Sequence, residues 1–335
     1  MTATATPLPV AGMAIVLSTL TSESSSVQFL FPFIPFMVHS FGVDEEDVGF
    51  YAGWIASSFM LGQFLSSLFW GWASDRIGIR PVLLSGLAAT VIGTVAFGFS
   101  KSLKQAILVR LACGLLNGNI AVVKTYIGLI TDETNEARAF GSIALCWGAG
   151  GIIGPTISGL LSEPASKYPN VFGENSIWSE YPYLLPCLVT SVIPTFGFLV
   201  GIFFLKEPDR KSKPHDGSLA HVQLEEETDD NCAESAKWEK QEMGDAASFK
   251  EKKCLVRSDS AMTYAFSKKA LLASVAYALL RLVVICLDEA TPLLMSIPRA
   301  AGGLDFNTSD IGLALFGQGL LLVLHVLIIF PNLKM

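Results

Sequence analysis

The chain contains 335 residues, of which 51% are hydrophobic and only 16% are charged. Its 23 basic and 30 acidic residues give a net charge of −7, and no basic stripe indicates a nucleic-acid partner. The charges lie between long apolar runs, which excludes an ordinary soluble domain and predicts a membrane protein. Six cysteines without C-x-x-C spacing indicate packing residues, so neither a metal site nor a cofactor is expected.

Length and hydropathy predict eight membrane spans, because about 20 apolar residues are needed to cross the hydrocarbon core as a helix. The spans cover approximately residues 11–38, 48–72, 81–100, 104–128, 139–161, 182–205, 270–296 and 310–331. We expect no removable signal peptide, since the N-terminus lacks a basic segment. The polar residues 22–26 interrupt the centre of the first span, which is either broken there or lines a polar cavity.

A charged hairpin joins the second and third spans. It follows 27 uncharged residues, Val48–Ser74, and precedes 20 more, Pro81–Ser100. The hairpin resembles the loop signature G-x-x-x-D-R-x-G-R-[RK] of the major facilitator superfamily, although Ile79 replaces one basic residue. The matching residues are Gly71, Asp75, Arg76, Gly78 and Arg80. The resemblance implies a gating role, in which Asp75 meets a helix N-terminus in the other half of the transporter.

Two glycine patterns extend this resemblance. The fourth span resembles the R-x-x-x-G-x-x-x-G pattern of proton-coupled members, and the fifth resembles the antiporter motif G-x-x-x-G-P-x-x-G-G. The matching residues are Arg110, Gly114 and Gly118 in the fourth span and Gly150, Gly154, Pro155 and Gly159 in the fifth. Small residues let helices approach closely in lipid, and Pro155 is expected to bend its helix. Ordinary packing without a role in transport is the alternative interpretation.

Charged residues inside predicted spans are the sharper functional signal, since they are costly in a bilayer. Arg110 either faces a cavity and pairs with a carboxylate, for which Glu23 is the nearest candidate by depth, or extends to the outer interface. Such a carboxyl can exchange protons during transport. Asn117 and Lys124 are seven residues apart on the fourth span, a spacing that suggests one pore-lining face.

A matching polar cluster occurs in the seventh span. It consists of Arg281, Asp288 and Glu289, and the seven-residue spacing of Arg281 and Asp288 places both on one helix face. The cluster is interpreted either as a structural ion pair or as a substrate contact.

The predicted domains are a six-helix half (1–205), a disordered central loop (206–269) and the start of a second half (270–335). The resemblance implies an all-α major facilitator fold, with the first half complete and about two helices of the second, so we expect a C-terminally truncated chain. Charge counts and the resemblance together place the N-terminus and the central loop in the cytoplasm. The plasma membrane and the vacuolar membrane both remain open as its location.

The leading functional hypothesis is a multi-pass secondary transporter. Phrases such as FPFIPFMV, YPYLLP and DEATPLL resemble the plant and fungal branch of zinc-induced-facilitator-like proteins. The resemblance implies proton-coupled antiport of a small organic solute, drug or metal chelate, with lipid and protons as the other partners and self-association undecided. The alternative is a truncated relative that does not transport. An enzyme is not expected, because no nucleophile–base pair is apparent.

Overall fold

The computed structural model describes residues 10–132, 134–173, 176–205, 207, 268–325 and 328. Every regular element in this described part of the chain is a helix. Most of the predicted central loop, 206–269, lies outside the described residues, as does the end of the predicted eighth span. The chain divides into two compact units, Met1–Arg210 with Glu289–Met335 and Lys211–Asp288.

The helices follow the predicted spans, with short helices in one connection. The first six are α1 (Val10–Gln28), α2 (Ile34–Ser40), α3 (Val48–Ile77), α4 (Ile79–Gly98), α5 (Leu103–Leu115) and α6 (Asn119–Ile130). The next five are α7 (Glu136–Leu161), α8 (Pro164–Lys167), α9 (Pro169–Phe172), α10 (Ile177–Glu180) and α11 (Leu184–Phe204). The last two are α12 (Lys268–Ser296) and α13 (Thr308–Leu324). Short 3₁₀ helices occupy Glu45–Asp47 and Arg299–Ala301.

Six helical segments in the described residues are long and apolar enough to cross a membrane, and α13 is a shorter apolar helix. The first predicted span is divided, but not at its polar centre. Helix α1 continues through residues 22–26, where the Ser22 hydroxyl donates to the Ser18 carbonyl at 2.8 Å. The break lies at residues 29–33, because Pro32 has no N–H to continue the helix.

The fourth predicted span is also divided, which the hydropathy pattern did not indicate. Helix α5 ends at Leu115 and α6 begins at Asn119. The predicted common face of Asn117 and Lys124 is therefore wrong, since Asn117 lies outside regular helix. Asn117 is buried, whereas Lys124 is exposed.

Helix α1 is the centre of the first unit and packs against α4, α6, α7 and α11. Its buried side chains include Val16, Leu20 and Ser24, each at most 1% exposed. Helix α7 packs against α1 and also against α13, so it joins the first six spans to the second half. Close helix packing therefore converges on α1 and α7.

Glycine permits the closest helix contacts. A Cβ atom on Gly114 of α5 would lie 2.1 Å from the Phe59 carbonyl oxygen of α3, and one on Gly62 of α3 would lie 2.5 Å from the Leu111 carbonyl oxygen. The two helices therefore approach backbone to backbone, in a geometry that even alanine would disturb.

We expect Gly114→Ala to destabilise the protein by about 1–3 kcal/mol, because the methyl group forces α3 and α5 apart. Thermal unfolding of the purified chain in detergent measures the change. The matched control is Gly53→Ala on α3, since within the described residues no atom lies within 4 Å of the Cβ position there. Equal melting temperatures for the two variants would contradict the close packing of α3 and α5.

Candidate functional site

The most deeply buried charged side chain of α1 is Glu23, which is 1% exposed. Its Oε1 atom accepts a hydrogen bond from Asn117 Nδ2 at 2.5 Å and another from Asn119 Nδ2 at 2.9 Å. Within the described residues, its Oε2 atom has no hydrogen-bond partner. One oxygen of the carboxyl group is thus saturated by donors, while the other is buried without one.

Both asparagines come from the break in the fourth span. The indole of Trp70 lies against Gly118, where a Cβ atom would be 2.3 Å from Trp70 Cβ, and Trp70 Nε1 donates to the Leu115 carbonyl at 2.9 Å. That bond satisfies one carbonyl that the end of α5 leaves free. Irregular backbone at membrane depth is tolerated where it is enclosed by protein. Asn117 and Gly118 of the break are buried, whereas Leu116 is exposed.

Arg110 lies near this site and is 4% exposed. Its guanidinium carbon is 4.7 Å from the ring centre of Phe59 and 5.6 Å from that of Phe97, and its NH1 donates to the Ser26 carbonyl at 3.3 Å. Among the described residues, no carboxylate oxygen lies within 4.0 Å of it. Arg110 is therefore held by two aromatic faces and a backbone carbonyl, and not by a direct ion pair with Glu23.

The antiporter-like residues of α7 line its contacts with α1 and α13. Cβ atoms would lie 2.4 Å from Ser24 Cβ if added at Gly150 and 2.7 Å from Gly312 Cα if added at Gly159. Gly154 likewise faces Ser25, with a Cβ position 2.8 Å from its carbonyl oxygen. Pro155 lies within the continuous helix α7, and the bend expected there remains a prediction.

Lys167 forms hydrogen bonds with both α7 and α13 at one end of their contact. Lys167 Nζ donates to the Gly159 carbonyl at 2.6 Å and to the Thr308 hydroxyl at 2.6 Å. Partial burial lowers the pKa of Lys167, and the carboxylates of Glu163 and Asp310 oppose that effect. The hydrogen bonds of Lys167 tie the C-terminal end of α7 to the first residue of α13.

The predicted hairpin at Gly71–Arg80 is shorter than expected. Helix α3 continues to Ile77 and α4 begins at Ile79, so Asp75 and Arg76 lie in the last turn of α3. Gly78 alone connects the two helices, with a φ of 99° that side chains rarely adopt. The Arg76 guanidinium carbon lies 5.1 Å from the centre of the Trp72 ring, so the positive charge packs against an aromatic face.

A carboxylate that the sequence did not reveal binds the start of α4. Glu207 Oε1 accepts from the Ile79 amide at 2.6 Å and Oε2 accepts from the Arg80 amide at 2.9 Å. The Arg80 NH2 group in turn donates to the Ile202 carbonyl at 2.6 Å. These contacts join the signature segment to the end of α11. The sequence did not predict a role for Glu207, because this residue lies at the start of a long polar tract in which a single acidic residue forms no distinctive pattern.

None of the described contacts connects the remaining predicted site residues to Glu23. Lys124 is exposed on α6. On α12, Arg281 and Asp288 are exposed and belong to the second unit, while Glu289 is partly buried in the first. Their predicted roles in the cavity remain predictions.

Comparison with known proteins decides the family. A family model described as Major Facilitator Superfamily matches residues 15–331. The chain belongs to the Major Facilitator Superfamily. The predicted family and its multi-pass membrane fold are confirmed, and every regular element of the described residues is a helix. The family consists of transporters and not of enzymes.

Individual members of the family and one solved structure are similar to this chain. The Major facilitator superfamily multidrug transporter mfsB of Aspergillus fumigatus is 31% identical, over 92% of this chain and 60% of its own length. Protein ZINC INDUCED FACILITATOR-LIKE 1 of Arabidopsis thaliana is 34% identical, over 88% and 58%. The crystal structure of the human organic anion transporter MFSD10 matches with a TM-score of 0.49 at 18% identity, over 61% of this chain and 49% of that chain. The chain spans about 60% of the length of the curated relatives it matches.

We expect Glu207→Ala to loosen the first turn of α4, because the amides of Ile79 and Arg80 lose their acceptors. Hydrogen exchange measured by mass spectrometry in nanodiscs should become faster in the peptide that covers these residues. Glu207→Gln is the matched control: it keeps one acceptor oxygen but removes the charge, and it should show an intermediate rate. Unchanged exchange in Glu207→Ala would show that Glu207 does not hold this turn.

Proposed function

We propose that this chain acts in proton-coupled antiport of a small organic solute by alternating access, and that Glu23 carries the exchanged proton. The observation that supports this most is the state of its carboxyl group. Glu23 is buried, its Oε1 receives two amide donors, and its Oε2 has no partner within the described residues.

A carboxylate enclosed by protein at membrane depth is unfavourable unless hydrogen bonds or a cation compensate it. In this site two amides and the nearby Arg110 provide part of that compensation, and binding a proton to Oε2 would provide the rest. The carboxyl group is therefore suited to occupy both protonation states within one transport cycle.

Two further features support alternating access. The segment with Asp75 and Arg76 lies beside the connection held by Glu207, and we assign it the gating role at the cytoplasmic side. Helix α7 contacts α1 through Gly150 and α13 through Gly159, so it links the proposed proton site to the second half. Movement between the halves can thereby act on the surroundings of Glu23.

The substrate class is inferred from the relatives. A multidrug transporter and a zinc-induced-facilitator-like protein are both about one-third identical to this chain, at 31% and 34%. A small organic solute, drug or metal chelate therefore fits better than a macromolecule.

We expect Glu23→Gln to reduce proton flux coupled to substrate by at least about tenfold, the effect of about 1.4 kcal/mol. The chain is reconstituted into liposomes that contain a pH-sensitive dye, and flux is recorded after addition of ethidium, tetracycline or a zinc chelate. The glutamine keeps the shape of the side chain, but its carboxamide cannot bind and release a proton as a carboxyl group does.

The matched control is Glu180→Gln, because that carboxylate is exposed and pairs with Lys101 at the surface. It should retain the flux of the unmodified chain. Equal flux in Glu23→Gln and the unmodified chain would remove Glu23 from the coupling mechanism.

A further inference from the structure

The broken fourth span presents two carboxamides to Glu23 in a defined orientation. Asn117 Oδ1 accepts a hydrogen bond from the backbone amide of Asn119 at 3.0 Å. A backbone amide can only donate, so the atom facing it must be the carbonyl oxygen of Asn117. The NH₂ group of Asn117 consequently points the other way, toward Glu23 Oε1 and the Thr90 hydroxyl, at 2.5 and 2.9 Å.

Helix α4 provides the space for the second carboxamide. A Cβ atom on Gly86 would lie 2.2 Å from Asn119 Oδ1, so the side chain of Asn119 occupies the volume that this glycine leaves open. Thr90, one turn later, donates to the Gly86 carbonyl at 3.0 Å and so has its oxygen available to Asn117. Asn117 and Asn119 are 1% and 0% exposed, and water does not compete for their hydrogen bonds.

The consequence for Glu23 concerns which oxygen can hold a proton. Oε1 faces the NH₂ group of Asn117, whose orientation is fixed, and therefore must remain an acceptor. A proton on Oε1 would point a donor at a donor. Within the described residues Oε2 accepts no hydrogen bond, and the nearby Gln63 carboxamide also has its Nε2 unpaired, so Oε2 is the oxygen that can bind the proton.

We propose that Asn117 and Asn119 are positioning residues that keep Glu23 Oε1 as the carbonyl oxygen and confine the exchangeable proton to Oε2. The proton binds to a lone pair of Oε2 to form the neutral carboxyl group and leaves from the same oxygen. This inference rests on the proposed function of Glu23 and adds to it the oxygen atom, Oε2, at which the proton is exchanged. The groups facing Glu23 from α5 are the Arg110 guanidinium and the Cys113 thiol, and Gln63 faces it from α3.

Infrared spectroscopy tests the assignment without a transport substrate. The full chain in nanodiscs is titrated between about pH 5 and 9, and the C=O stretch of protonated Glu23 is identified as the band that Glu23→Gln abolishes. Hydrogen bonds to a carbonyl oxygen weaken its double bond and lower this frequency. Asn117→Ala and Asn119→Ala should therefore each move the band to higher wavenumber, and Asn119→Gln should restore part of the shift.

Thr190→Val serves as the matched control, since Thr190 is fully buried on α11 and its hydroxyl has no hydrogen-bond partner within the described residues. It should leave the band in place. A band that stays in place, or moves to lower wavenumber, in the asparagine variants would overturn the assignment. Should Asn117→Ala fail to fold, Asn119→Ala decides alone, because it leaves the Asn117 side chain intact.

The outcomes also separate this inference from the proposed function. If Glu23→Gln abolishes no band over the whole titration, Glu23 does not exchange a proton and both proposals fail. If that band exists but the asparagine variants leave it unmoved, the proposed function survives and only the positioning role is rejected.

Discussion

A carboxyl group buried at membrane depth persists only if the protein itself supplies the hydrogen bonds that water would otherwise provide, and this constraint organises the centre of the molecule. Glu23 obtains its donors from Asn117 and Asn119, which a continuous helix would not bring to the same carboxyl oxygen. The break in the fourth span is therefore the feature that permits the buried charge. Trp70 packs against this break: its side chain fills the space beside Gly118, and its Nε1 donates to the Leu115 carbonyl.

Close approach of helices is the second requirement. Asn119 reaches Glu23 only because Gly86 leaves room for its side chain, and α7 reaches α1 only because Gly150 leaves room for Ser24. In lipid there is little hydrophobic drive to bring helices together, so such contacts depend on shape and on the short distances that glycine allows. The same small residues that pack the spans also determine where polar side chains can meet.

Much of the fold and part of the site could be predicted from the sequence. Hydropathy predicted the positions of the spans. The cost of placing a charged side chain in lipid indicated a functional role for Glu23 and Arg110. The break at Leu116–Gly118 was missed because a hydropathy window averages these three residues with the apolar residues on both sides of them. Asn119 was missed for the same reason, since its position at the start of a new helix is invisible when the span is treated as continuous.

The two glutamates differ in which of their carboxyl oxygens accept hydrogen bonds. Glu207 binds the first backbone amides of α4, where free amide groups and the helix dipole favour negative charge. Glu23 lies within α1 and is bound by the side-chain amides of Asn117 and Asn119. Glu207 uses both oxygens as acceptors of backbone amides, so its carboxyl group holds the first turn of α4. Glu23 has donors on one oxygen only. In the proposed antiport, the unsatisfied oxygen of Glu23 would take up the proton, while the two donors from the broken fourth span hold the other oxygen.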